Sequence, residues 1–141
     1  MAERTPVIAG NWKMNTDVES GLKLVKEIFE LSNSISGVDK IVCPPSIAIT
    51  SIAQTLSGSS IHVGAQNVSA NDDGALTGEL STSMLRGLVS HVIVGHSERR
   101  AMFGETSEQV AAKAIKAADA GISPILCIGE DLSVRQSGKA A

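Results

Sequence analysis

The sequence lacks several features that would mark particular classes of protein. It contains no tyrosine, and aromatic residues make up only 2% of its 141 positions. Its two cysteines are too few for the disulfide framework of a small secreted domain. The net charge of -3 offers no excess of positive charge to a polyanion, so the sequence predicts no nucleic-acid partner.

Long apolar segments are also missing. No stretch reaches the roughly 18 apolar residues of a membrane-spanning helix, and residues 1–6 contain no signal-peptide core. We therefore predict a cytoplasmic protein without a membrane partner, in which Cys43 and Cys127 are buried free thiols. With 43% hydrophobic and 19% charged residues, the composition is typical of one ordinary globular domain.

The chain does contain a regular alternation of strand-like and helix-like segments. Apolar runs at residues 7–10, 40–43, 61–65, 92–95 and 125–128 predict five strands. Helices are predicted between them, with capping boxes that place Thr16 and Thr106 at two N-caps. This order indicates an α/β protein with a parallel sheet. The pattern alone leaves open a doubly wound, flavodoxin-like sheet and part of a (β/α)8 barrel, which needs about 250 residues when complete.

Polar side chains come immediately after two of the predicted strands. The first strand runs into Asn11 and Lys13, and the fourth releases His96, Ser97 and Glu98 directly after a glycine. Because the carboxyl ends of parallel strands meet at one edge of the sheet, this edge is the place to expect chemistry.

A series of short motifs resembles the N-terminal part of the triosephosphate isomerase family. The motifs are Ala-Gly-Asn-Trp-Lys-Met-Asn at 9–15, Cys-Pro-Pro at 43–45, Gly-Ala-Gln-Asn-Val at 64–68, Thr-Gly-Glu at 77–79, Val-Gly-His-Ser-Glu-Arg-Arg at 94–100 and Cys-Ile-Gly-Glu at 127–130. They occur in family order across nearly the whole chain. The resemblance implies that residues 1–141 are the N-terminal portion of one TIM-barrel domain, a partial (β/α)8 barrel with five parallel strands and intervening helices.

The resemblance also implies a reaction. The family interconverts dihydroxyacetone phosphate and glyceraldehyde 3-phosphate through an enediol, in glycolysis and gluconeogenesis, without a cofactor or a metal. By resemblance, the catalytic residues are His96, which polarises the substrate carbonyl, Lys13, which balances the negative charge, and Glu98. Asn11 and Lys13 bind the phosphorylated triose substrate. Two plainer interpretations stay open, namely that His96 only bonds backbone and that Glu98 only forms a salt bridge.

The polar segment 66–79 resembles the family's dimer loop. In a homodimer, Thr77 near its tip would approach Asn11, Lys13 and Glu98 of the other subunit; the alternative is a mobile surface loop. Arg99 and Arg100 are expected to form structural ion pairs, and Cys127 to contribute packing.

The family's catalytic base, a glutamate on the sixth strand, and its glycine-rich phosphate turns have no counterpart in the sequence. Glu130 is no substitute, because it belongs to the Cys-Ile-Gly-Glu motif. The expectation is therefore a fragment of an isomerase that is inactive as an isolated chain. Two alternatives remain: a non-catalytic half-barrel module that needs a complementary C-terminal half, and a different phosphosugar barrel enzyme.

Overall fold

The computed structural model describes residues 4–130 and 132–138. Predictions that concern the first three residues and the end of the chain at Ala141 lie outside these ranges. Within them, every helix is too short or too polar to cross a bilayer. The cytoplasmic location and the absence of a nucleic-acid partner stay predictions.

The strands form one parallel sheet whose spatial order follows the chain. They are β1 (Val7–Asn11), β2 (Asp39–Cys43), β3 (Ile61–Ala65), β4 (His91–Val94) and β5 (Ser123–Leu126), in the order β1-β2-β3-β4-β5. A flavodoxin-like sheet would place β1 between β2 and β3. The sequential order of a curled half-barrel is seen instead, so the predicted partial (β/α)8 barrel is confirmed.

The last strand begins two residues earlier than the apolar run predicted. It pairs with β4 from His91 opposite Ser123 to Val94 opposite Leu126, and so includes Pro124. Proline is tolerated there because β5 is an edge strand, where a missing N–H group costs no ladder bond on the open side. Cys127 lies just beyond the strand and is half-buried, so the prediction of a buried free thiol is confirmed for Cys43 and is wrong for Cys127.

The connections are helical, as predicted. They comprise α1 (Val18–Ser32), a 3-10 turn (Ser46–Ala48) that leads into α2 (Ile49–Thr55), α3 (Thr82–Leu85), α4 (Ser97–Phe103), α5 (Ser107–Asp119) and α6 (Leu132–Gln136).

The two predicted capping boxes have different outcomes. Thr106 caps α5 as predicted, with Gln109 returning the bond. At α1 the prediction of Thr16 is wrong, because Asp17 is the N-cap and exchanges hydrogen bonds with Ser20. Thr16 has a φ of 72°, which lies far from the extended conformation that an N-cap residue needs.

The sheet has two different faces. Its convex face packs on the helices through the main core, in which Val25, Ile52, Val92 and Val94 are fully buried. The concave face carries a smaller cluster of Ile41, Cys43 and Ile93, against which Ile125 and Cys127 pack. The edge strands remain open, since Ile8 is 66% and Leu126 is 51% exposed.

Candidate active site

The carboxyl ends of β1 and β4 bring the predicted site residues together. Asn11, Lys13, His96 and Glu98 line one cleft of about 400 Å³. Asn11 is the last residue of β1, and His96 follows β4 after Gly95. The glycine has a φ of 71°, which turns the chain sharply from strand into α4 and points the next side chain at the cleft edge.

Lys13 is held in a backbone conformation that non-glycine residues rarely adopt. Its φ is 56°, in the left-handed region, at a cost of about 1–3 kcal/mol. Two side chains fix this conformation. Asn11 Oδ1 accepts from the Lys13 N–H at 2.9 Å, and Gln66 Nε2 donates to the Lys13 carbonyl oxygen at 2.8 Å and to that of Cys43 at 2.9 Å. Local strain at a site residue is therefore maintained by the ends of three strands.

The ammonium group of Lys13 pairs with a carboxylate from the other side of the cleft. Its Nζ donates to Glu98 Oε1 at 2.7 Å, and both side chains are about half exposed. The hydrogen bond from Lys13 lowers the pKa of Glu98. Glu98 is thus an anion near neutral pH, so it serves better as an orienting partner for Lys13 than as a proton donor.

His96 is the N-cap of α4, and Ser97 is the first residue of that helix. Its Nδ1 accepts from the Glu98 backbone N–H at 3.2 Å, and Glu98 Oε2 lies 3.4 Å from the same nitrogen. These contacts require opposite states of Nδ1. The backbone amide always carries its hydrogen and lies closer, so we assign Nδ1 as the acceptor of a neutral ring. The imidazole proton then resides on Nε2.

This arrangement presents two hydrogen-bond donors to one small cleft. The Lys13 ammonium and the His96 Nε2–H can both stabilise negative charge that develops on a substrate oxygen. In the described part of the chain, the carboxylates that line the cleft are Glu98, paired with Lys13, and the exposed Glu79 of the 66–79 segment. Across residues 4–130 and 132–138, no group of three or more His, Cys, Asp and Glu side chains is placed to hold a metal ion.

Sequence comparisons agree with this geometry. The sequence model of the triosephosphate isomerase family matches residues 6–141. The triosephosphate isomerase of Dehalococcoides mccartyi strain 195 is 48% identical over 134 residues, which cover 95% of this chain and 53% of that protein. Those of strains BAV1 and CBDB1 are each 46% identical over 136 residues, covering 96% of this chain and 54% of theirs.

The chain belongs to the triosephosphate isomerase family. It spans about half the length of the curated relatives that it matches. The fold places the six motifs that carry the family resemblance at strand ends and in connecting segments. Two of these motifs contain Asn11, Lys13, His96 and Glu98, which therefore meet in one cleft.

The 66–79 segment, which resembles the family's dimer loop, is anchored at several points. Asp73 accepts bonds from the Ser81 and Ser83 hydroxyl groups, and Lys116 of α5 pairs with Asp72. Thr77 is exposed and is not among the residues that line the cleft of its own chain. Its approach to a second subunit stays a prediction.

Sequence reasoning missed a buried network behind the site. Glu105 Oε1 accepts from Arg99 Nε at 3.2 Å and from Lys113 Nζ, which also donates to Asn67. The predicted ion-pairing role thus fits Arg99, whereas Arg100 donates to the Gly95 carbonyl oxygen and the Ser107 hydroxyl.

The signals for these missed residues differ in strength. Gln66 lies inside the motif at 64–68, so its role in holding Lys13 could have been suspected. Glu105 precedes a helix cap and carries no local signal, because its partners Arg99 and Lys113 are joined only by the fold.

Proposed function

We propose that this chain supplies the electrophilic half of a triosephosphate isomerase site, which interconverts dihydroxyacetone phosphate and glyceraldehyde 3-phosphate through an enediol. The observation that carries the proposal is the hydrogen bond from the Glu98 amide to His96 Nδ1, at 3.2 Å. It leaves Nε2 as the donor of a neutral imidazole beside the Lys13 ammonium. A neutral donor stabilises an enediolate without protonating it fully.

Each residue has a distinct role in this proposal. His96 polarises the carbonyl oxygen of the bound triose, and Lys13 balances the charge on that oxygen and on the phosphate. Asn11 binds beside Lys13 and fixes its backbone through the 2.9 Å bond. Glu98 orients the ammonium group through the 2.7 Å ion pair. No cofactor or metal has a part in these steps.

The same proposal implies that the 141-residue chain is inactive by itself. The reaction needs a base that removes a carbon-bound proton, and Glu98 is engaged by Lys13. The family takes this base from a strand beyond the five present here. We therefore expect the isolated chain to show no turnover above background.

Complementation tests the proposal. The purified chain is assayed alone and after refolding with the C-terminal remainder of the strain 195 relative. We expect activity only in the mixture, and His96→Gln should lower it about 10²–10³-fold, the usual loss for one oxyanion donor. His62→Gln, at the opposite end of β3, is the matched control and should retain activity at pH 7.5. Full activity of the His96→Gln mixture, or ordinary turnover by the chain alone, would contradict the proposal.

A second candidate function is a non-catalytic half-barrel module, and the open sheet edges favour it. Val7 and Ile8 on β1 are 53% and 66% exposed, and Ile128 after β5 is 86% exposed. Such apolar edges fit the missing strands of a complementary half. The mixture of the two halves distinguishes these functions. A complex that forms but shows no isomerase activity would support the half-barrel module and exclude the enzymatic function.

We also propose that the 66–79 segment mediates a homodimer in the complete barrel. Met14 is 97% exposed directly beside Lys13, which suits an apolar contact with a second copy. Sedimentation of the complemented protein should show a dimer that Met14→Glu weakens. A tight dimer of that variant would exclude this surface.

A further inference from the structure

Two of the three histidines in this chain lie together far from the proposed active site. His62 is the second residue of β3 and His91 the first of β4, so both lie at the amino end of the strands. His62 is in register with Ile41, and His91 lies two positions before Ile93, which places both side chains on the concave face with that cluster. The proposed site lies at the other end of the same strands.

The two imidazole rings are neighbours. Their centroids are 5.6 Å apart with a 55° angle between the ring planes. His91 is half-buried and its Nδ1 lies 2.8 Å from the Ser90 hydroxyl, whereas His62 is exposed. Two rings this close cannot both become cations without direct repulsion.

The surroundings of His91 make its protonation unfavourable. Burial lowers its pKa most, the neighbouring His62 lowers it further, and Asp39 on β2 acts in the opposite direction. On the other side of β4, the residue opposite His91 is Ser123 of β5. The serine side chain carries no charge that could act on the His91 ring. Among the described residues, the charge that favours the protonated ring is thus that of Asp39.

The pair lies at the narrowest strand pairing of the sheet. The β3–β4 register comprises two residue pairs, of which His91 opposite Gly64 is one, whereas each of the other neighbouring strand pairs has at least three. Ser90 takes part in both contacts. Its hydroxyl group contacts His91, and its backbone N–H donates to the Val63 carbonyl oxygen of β3 at 2.9 Å. Few backbone bonds therefore resist a repulsion between the rings.

We propose that His62 and His91 form an acid-sensitive switch, which leaves the β3–β4 pairing intact while the rings are neutral and weakens it when they are protonated. The effect reaches the proposed site because β3 leads into Gln66, which holds Lys13, and β4 leads into His96. It concerns the fold of this chain, so it can be tested whether or not the proposed reaction is correct.

The direction of the pH effect follows from linkage. A histidine whose pKa is lowered in the folded state binds fewer protons there than in the unfolded chain, so stability rises with pH. The contribution of His91 is present above its ordinary pKa of 6.5 and is lost as the pH falls through its lowered value.

Nuclear magnetic resonance of the three imidazoles tests the coupling. The pKa of His91 is measured in the wild-type chain and in His62→Gln, where we expect it to rise toward 6.5 because the neighbouring charge is gone. Asp39→Asn should shift it the other way. His96→Gln is the matched control, with the same substitution at the third histidine, and should leave the pKa of His91 unchanged.

Urea unfolding gives a second readout. Between about pH 7.5 and 5 the wild-type midpoint should fall, and the fall should be smaller in the double variant His62→Gln/His91→Gln than in His96→Gln. Since His62 is exposed, the single variant is expected to fold. An unchanged pKa of His91 in His62→Gln, or equal acid sensitivity of the double variant and the control, would overturn the proposal.

Discussion

Gly95 provides the sharpest test of how the site is built, because it turns the chain between β4 and His96. Its φ of 71° lies in the left-handed region. A Cβ at this position would lie 2.7 Å from Val110 Cγ1 and 2.9 Å from Arg100 Nη2. Val110 is only 2% exposed, and Arg100 already donates from Nε to the Gly95 carbonyl oxygen, so neither side chain can withdraw freely.

The cost of Gly95→Ala has two separable parts. A left-handed backbone costs a residue with a Cβ about 1–2 kcal/mol, offset by about 0.4–1 kcal/mol from the stiffer unfolded chain. Overpacking against Val110 adds roughly 1–3 kcal/mol. The sum predicts a destabilisation of about 1–5 kcal/mol, with packing as the larger part.

Gly104→Ala isolates the backbone part. Gly104 caps the other end of α4 with a φ of 65°, and a Cβ there would meet nothing within 4 Å. We expect this variant to lose only about 1 kcal/mol, the backbone cost without the clash. Urea unfolding followed by the fluorescence of Trp12, the single tryptophan, measures both. If Gly95→Ala is no less stable than Gly104→Ala, the close packing of Val110 on the turn is not what makes glycine necessary.

Two further predictions concern the charged groups. Lys13→Met should raise the pKa of Glu98, because the hydrogen bond from Lys13 is the largest influence that lowers this pKa. Carbon-13 titration of the Glu98 carboxyl group measures the change, and Lys23→Met is the control. An unchanged pKa of Glu98 in Lys13→Met would exclude the ion pair in solution. Glu105→Gln should destabilise the fold by about 3–5 kcal/mol, because it leaves buried Lys113 without its anion, while Glu27→Gln on the surface should stay within about 0.5 kcal/mol. Burial raises the pKa of Glu105, but the bonds from Lys113 and Arg99 lower it overall, so the wild-type contribution should persist above pH 4.5 and decline as the pH falls through the lowered value. Similar unfolding midpoints for both glutamine variants would refute the buried network.

The sequence predicted well whatever depends on neighbours along the chain. The five strands follow from apolar runs, and the α5 cap follows from Thr106 and Gln109, three positions apart. Asn11 and His96 were predicted as site residues because each directly follows an apolar run of the sequence, and the fold places both at one cleft. Errors arose where local signals compete, as at Thr16 and Asp17, since both residue types cap helices and only the backbone conformation decides between them.

The contacts that make the residues a site could not be read from the sequence. Lys13 and Glu98 are 85 positions apart, and Gln66 is 53 positions from Lys13. Periodicity carries no information over such separations. The doubly wound and barrel alternatives differ in the same long-range way, since both contain the same alternating elements and only the spatial order of the strands separates them.

The Lys13–Glu98 pair also reports on the shape of the sheet. β1 and β4 are separated by β2 and β3, so in a flat sheet their axes would lie about 14 Å apart. Side chains near the ends of these strands nevertheless meet at 2.7 Å across the concave face. The contact is favoured because the sheet curls toward that face. Five strands therefore suffice to bring Lys13 and His96 to one cleft.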